Sequence, residues 1–167
     1  MASRAHLKQL DSVAARLHNS LVVGTRGPAH DMVTKWGSRY LGFTQKRYYK
    51  MSRGGWKPLA QSTIRAKGSS AILIDHSHLV KGLAKGNKGN LFTFISGGVR
   101  VGYQSGVKHP KGKGVTYGQI AAANQKGRGR LPVRRIFVAP DTRTVTGMHK
   151  DVSVAIQELG NQAQKIA

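Results

Sequence analysis

Asp75-His76-Ser77-His78 puts three metal-capable side chains within four residues. On a helix the two imidazoles diverge by about 200°, whereas a zinc-binding helix spaces its histidines four apart. In an extended segment His76 and His78 share a face, which leaves a chance site open. The simpler expectation is that Asp75 accepts from the free amides at a helix start, beside two surface imidazoles. A second stretch, GVKHPKGKGV, resembles a phosphate-binding loop. Five residues rather than four separate Gly106 from Gly112, however, and Gly114 stands where a Ser or Thr would hold magnesium. Acyl transfer needs a serine with a base and an orienting carboxylate, and no serine sits in a G-x-S-x-G turn. With six acids in the chain, and Asp141 and Asp151 ten apart, paired-carboxylate or metal-nuclease chemistry lacks its groups. Cysteine is absent, which removes thiol nucleophiles and Cys-ligated zinc. No catalytic residue, metal or cofactor is expected, and the protein is not expected to be an enzyme.

Charge is the dominant signal. Twenty-eight Lys and Arg against six Asp and Glu leave a net charge of +22. Nine basic and no acidic residues lie between Asp31 and Asp75, and twelve basic and no acidic ones between Asp75 and Asp141. So continuous a positive field favours a polyanion, because neutralised phosphates release condensed counterions. An acidic protein surface would serve too. Lys108, Lys111 and Lys113 fall in one glycine-rich segment and Lys126, Arg128 and Arg130 in another. Such segments can follow a phosphate backbone without reading bases. The alternative is a solvated surface or an intersubunit contact. Neither segment has an aromatic beyond the flanking Tyr103 and Tyr117, so stacking on single strands has thin support there.

The elements that must carry these groups follow from periodicity. The length suits a single domain over 1–167. Its first 50 residues are expected to be helical. Leu7, Leu10, Val13, Ala14, Leu17 and Leu21 predict an amphipathic helix ending near Gly24 to Pro28. A second helix is expected to run to about Lys50 with Met32, Val33, Trp36, Tyr40 and Phe43 on one face. Trp56, after Gly54-Gly55 and before Lys57-Pro58, reads as an aromatic that pins a loop against the sheet. Gln61 to Lys67 predicts two helical turns closed by Gly68, and Leu79, Val80 and Leu83 another short turn. Leu91–Ile95 and Val99–Tyr103 around Ser96-Gly97-Gly98 predict a hairpin. Residues 104–116 predict a flexible basic loop too rich in Gly and Lys to hold a core. A helix is expected over Tyr117 to Asn124, a third strand over Leu131 to Ala139, and a closing helix on Val152, Ile156, Leu159, Ala163 and Ile166. The fold class expected is α+β: a small antiparallel sheet packed by N-terminal and C-terminal helices, with long basic loops. No segment has the apolar length of a membrane span, and the N-terminus lacks the apolar run of a signal peptide, so a soluble protein folded in a reducing cytoplasm is expected.

GWKPLAQSTIRAKGSSAILIDHSHLVKGL, residues 55 to 83, resembles the signature segment of the Mu-type phage virion morphogenesis family, the tail completion or neck proteins. There W-x-P-L, T-[IL]-x-x-K-G and I-L-x-D-[TS]-G-x-L follow in this order, matched here by Trp56, Pro58, Leu59, Asp75 and Leu79. Further on, Tyr117-Gly-Gln-Ile120 is similar to the family's Y-x-x-I helix start, and Leu131-Pro132 to Phe137 to its I-P-A-R-P-F-L segment, with Arg135 in place of the second proline. His76-Ser77-His78 stands where Thr-Gly-Arg is usual, and Ala121 where a His is common. The resemblance implies a non-enzymatic, ring-forming subunit of the virion neck, assembled in the host cytoplasm. It implies a homo-oligomer, commonly a hexameric ring, between a head connector or adaptor and the tail terminator or tail tube. The ring would surround the DNA channel and touch genomic DNA without sequence preference. A basic nucleic-acid-binding protein outside any virion is the alternative.

Overall fold

The computed structural model describes residues 27–73, 77–95, 98–110, 113–129 and 131–164, with backbone alone at 162 and 163. The helix expected over Leu7 to Leu21 lies outside them, as do Asp75, His76, Lys111 and Arg130. The described chain is α+β, with helix α1 at Pro28–Lys50, α2 at Gln61–Lys67, α3 at His78–Lys81, strands β1 at Asn90–Ile95 and β2 at Gly98–Tyr103, then α4 at Tyr117–Lys126 and α5 at Thr142–Gln164. The two strands form an antiparallel sheet. The chain divides into two compact units, and both draw on α1 and on the hairpin.

Helix α1 starts where its residues dictate. Pro28 occupies the first turn, where a missing N–H costs nothing, and Asp31 lies at the positive end of the helix dipole. In the first unit, which takes α1 up to Arg39, Thr93–Arg100 and α5, Ala29, Val33 and Ala155 are buried. The Trp36 indole donates to the Met148 carbonyl at 3.0 Å. Arg39 grips Asp151 through Nε at 2.7 Å and Nη2 at 3.0 Å. Gly147 leaves room for that guanidinium, since a Cβ there would stand 3.0 Å from Arg39 Nη1. Phe94 of β1 packs on His30 of α1 with ring centres 4.3 Å apart. Helix α5 begins nine residues earlier than the expected closing pattern, at Thr142 rather than Asp151. Its Ile156 is 63% exposed, so the face assigned to it from spacing is corrected. Asp151 and Ala155 form the buried stripe, and Ile156 lies about 100° past Ala155 around the helix axis.

The second unit runs from Tyr40 to Phe92 and from Val101 to Asp141. Its core joins Leu41, Tyr48, Trp56, Ile72, Leu79, Val80, Leu83, Tyr103, Tyr117, Ala121 and Ile136. In this half of α1 the buried positions are Leu41, Thr44 and Tyr48, three and then four apart, while Tyr40 and Phe43 are half-buried. After Lys50 the helix widens into a π turn over Met51–Gly55, closed by the Trp56 amide on the Met51 carbonyl at 3.1 Å. Gly54 has φ 136°, a conformation a side chain would strain, and it turns the chain so that Trp56 enters the core. Trp56 is 6% exposed and meets Tyr48 of α1 edge to face at 5.4 Å, within the core that also holds Tyr103 of β2. Leu59 packs on the same cluster, and Pro58 is exposed. Helix α2 ends at Gly68 in the left-handed conformation, as its sequence predicts. At the start of α3 the cap position is Ser77, without a side-chain hydrogen bond, while Asp75 lies outside the described residues.

Tyr103 ties the hairpin to α3 by donating to the Leu79 carbonyl at 2.7 Å. Tyr117 stacks on Tyr103 with ring centres 5.9 Å apart and fills the space over Gly82 and Gly89. The expected third strand over 131–139 does not form. Pro132 has no N–H, and the neighbouring backbone groups are taken by side chains. Gln125 Oε1 accepts from the amides of Ile136 at 2.8 Å and Phe137 at 3.0 Å, and its Nε2 donates to the Phe137 carbonyl at 2.7 Å. Arg47 donates to the Arg135 carbonyl from the other side. An extended segment is thus held by a glutamine and an arginine instead of a strand ladder.

Candidate basic interface

Both glycine-rich basic segments leave the core of the second unit through a pinned base. In the first, Val107 packs against the core and its carbonyl accepts from the Tyr117 amide at 3.0 Å. Lys108 pairs with Thr116 as an antiparallel bridge, and the His109 amide reaches the Val115 carbonyl at 2.9 Å. Lys108 and Lys113 are exposed beyond this foot. Helix α4 then opens on a capping box. Thr116 Oγ1 accepts from the Gln119 amide at 3.2 Å, and Gln119 Oε1 accepts from the Thr116 amide at 2.9 Å. The Thr116 and Gln119 amides at this helix start are therefore already bonded within the chain.

The second segment is a tight turn. Arg128 and Leu131 exchange backbone hydrogen bonds at 3.2 and 2.9 Å. Gly127 makes this possible, because a Cβ at its φ of 75° would stand 3.1 Å from the Leu131 carbonyl oxygen. Lys126 and Arg128 are exposed. Past the turn, the Arg134 amide donates to the Asn124 carbonyl at 2.7 Å. The Arg134 side chain is buried, and burial pushes its guanidinium below the usual arginine range. The Arg39–Asp151 ion pair, and the His30–Asp31 contact, which is an ion pair only when the imidazole is protonated, belong to the first unit. Two conditions a polyanion surface needs are met here: cations exposed on anchored backbone, and little carboxylate to compete for them.

Sequence reasoning missed three features. Lys46, Tyr49 and Lys50 are exposed at i, i+3 and i+4 on the last turns of α1, which sets an aromatic between two cations. The run KRYYK holds the signal, but helical phase separates buried Tyr48 from exposed Tyr49. The second feature is buried Arg134, hidden within a charge run. The third is a ring chain in which His78 meets His109 at 5.6 Å and His109 meets Tyr117 at 5.1 Å. The histidine that approaches His78 thus comes from the basic loop, 31 positions along the chain. No group of three or more metal-ligating side chains occurs among the described residues. No helix of the described residues is long and apolar enough to cross a membrane.

The resemblance residues divide by role. Trp56, Leu79 and Tyr117 are buried in the second unit's core, Leu59 and Phe137 pack on it, and Pro132 is half-buried. Phe137 meets Tyr103 at 5.8 Å. Lys108, Lys113, Lys126 and Arg128 lie outside that core. The chain matches no family model, and no curated protein or solved structure matches it either.

Proposed function

We propose that this protein is a non-enzymatic structural subunit of the head–tail junction of a tailed bacteriophage, acting as a neck or tail completion ring around the DNA channel. The observation that carries the reading is the ordered succession of motifs from Trp56 to Phe137. The buried or core-packed positions of Trp56, Leu59, Leu79, Tyr117 and Phe137 support it, because motif residues separated by up to 81 positions serve one core. A family signature retained for architecture is expected to behave in this way. In a closed ring the contacts between subunits are heterologous. The exposed cations of the two basic segments then face genomic DNA in the lumen or the acidic surface of an adjoining connector or tail protein.

The test is immunolabelling of purified particles in the electron microscope, together with mass measurement of the isolated protein. Label at the neck and a discrete large oligomer, six copies in the simplest case, are expected. Particles without neck label would overturn the reading. A second reading, a basic nucleic-acid-binding protein outside any virion, is favoured by the net charge of +22 and by the exposed Lys46, Tyr49 and Lys50 face. It predicts tight, salt-steep binding by the monomer and no virion association.

A further inference from the structure

Arg134 is an anomaly among the described cations, which otherwise reach water. It is 4% exposed, its Nε is buried with no hydrogen-bond partner, and its guanidinium forms no ion pair among the described residues. A buried charge without a counter-charge is costly, and arginine does not escape by releasing its proton. The sequence on either side of it is one-sided: twelve basic and no acidic residues lie between Asp75 and Asp141. The position is nevertheless well held. The Arg134 amide is fixed to Asn124, and the next three residues are clamped by Arg47 and Gln125. Asn124 Oδ1, on the residue that holds Arg134, is a second buried polar atom without a partner.

We propose that Arg134 is the inner half of an anion site and takes a phosphate oxyanion from outside the chain. A planar guanidinium fork matches two oxygens of one phosphate. Lys126, Arg128 and Arg135, all within eight residues of it along the chain and open to solvent, raise the local potential and favour a phosphate over a singly charged carboxylate. The oxyanion comes either from free phosphate or from a nucleic-acid phosphodiester. The inference does not rest on the neck assignment, and its test uses purified full-length protein without virions.

Thermal unfolding is followed against inorganic phosphate at constant ionic strength, for the wild type and for Arg134→Met, Arg134→Lys and Arg128→Ser. Phosphate is expected to raise the wild-type Tm, since a ligand of the native state stabilises it by mass action. Arg134→Met should match or exceed the wild-type Tm without phosphate, because an unmatched buried charge is gone, and should lose the response. Arg134→Lys keeps the charge but not the fork and should bind phosphate roughly tenfold more weakly. Arg128→Ser removes one of the surrounding charges and should weaken the response, but by less than Arg134→Met. An equal phosphate shift in the wild type and both Arg134 variants would overturn the site, as would an Arg128→Ser loss as large as that of Arg134→Met. Should Arg134→Met not fold, an Arg134→Lys affinity equal to the wild type overturns it alone. A short single-stranded oligonucleotide separates the sources. Weaker binding by Arg134→Lys, with competition by phosphate, assigns the site to nucleic acid, and oligonucleotide binding unaffected by Arg134→Lys assigns it to free phosphate.

Discussion

Trp56 shows how one residue carries both identity and stability. Its ring closes on Tyr48 in the core of the second unit, yet its indole N–H is buried without an acceptor. Trp56→Ala is expected to cost about 3–5 kcal/mol as a cavity. Trp56→Phe should cost clearly less, since it keeps an aromatic and removes an unsatisfied donor. Urea unfolding measures both, and equal losses would refute that account. Asp151 is the charged counterpart in the first unit. The hydrogen bond from Arg39, and then its charge, hold the Asp151 carboxyl below the usual carboxylate range. A carboxyl depressed in the folded state adds stability above its unfolded pKa, and that stability is lost as pH falls through the folded value. Acid unfolding should therefore lose part of its steepness in Asp151→Asn. Arg39 is 45% exposed and rehydrates when freed, so the loss at neutral pH should be about 1 kcal/mol, toward the lower end for a charged hydrogen bond.

Among the elements, the segment 131–139 is the most instructive. Its Val, Ile and Phe content suits a strand, but β1 and β2 form a two-stranded sheet and Gln125 supplies the partner groups instead. Gln125→Leu leaves the amides of Ile136 and Phe137 and the Phe137 carbonyl unpaired. A loss of about 2–4 kcal/mol is expected, at roughly 1–3 for each buried group left without a partner and with some rehydration. Hydrogen exchange should show the Ile136 and Phe137 amides losing protection first, and unchanged exchange there would mean that the segment is held by packing instead. Gln125→Glu keeps the acceptor for both amides and should restore part of the protection.

For the whole molecule the governing quantity is charge. Replacing Lys108, Lys113, Lys126 and Arg128 together by Ser should leave the second unit's core intact, because all four side chains lie outside it. The slope of log K against log salt for duplex DNA should become shallower by about 0.9 for each phosphate that the variant no longer neutralises. An unchanged slope would move DNA binding to another surface, with the Lys46, Tyr49 and Lys50 face as the next to test. Neck labelling and oligomer mass test assembly separately, so weaker DNA binding with normal assembly would assign these cations to the channel rather than to neighbouring subunits.

The residue pattern by itself determined α1, α2, α4 and the paired strands, because their residue spacing and the glycine after Lys67 act over a few residues. It also determined the positive field, a property of composition. Tertiary structure alone decided that Tyr48 goes in and Tyr49 out, that Ile156 faces away, and that Gln125 replaces a strand. It also put Arg134, in a run of cations that reads as solvated, inside the protein. Spacing reports which side chains are apolar. Which backbone groups a distant side chain will satisfy, and which charge is enclosed in doing so, depends on residues far apart in sequence meeting in the folded chain.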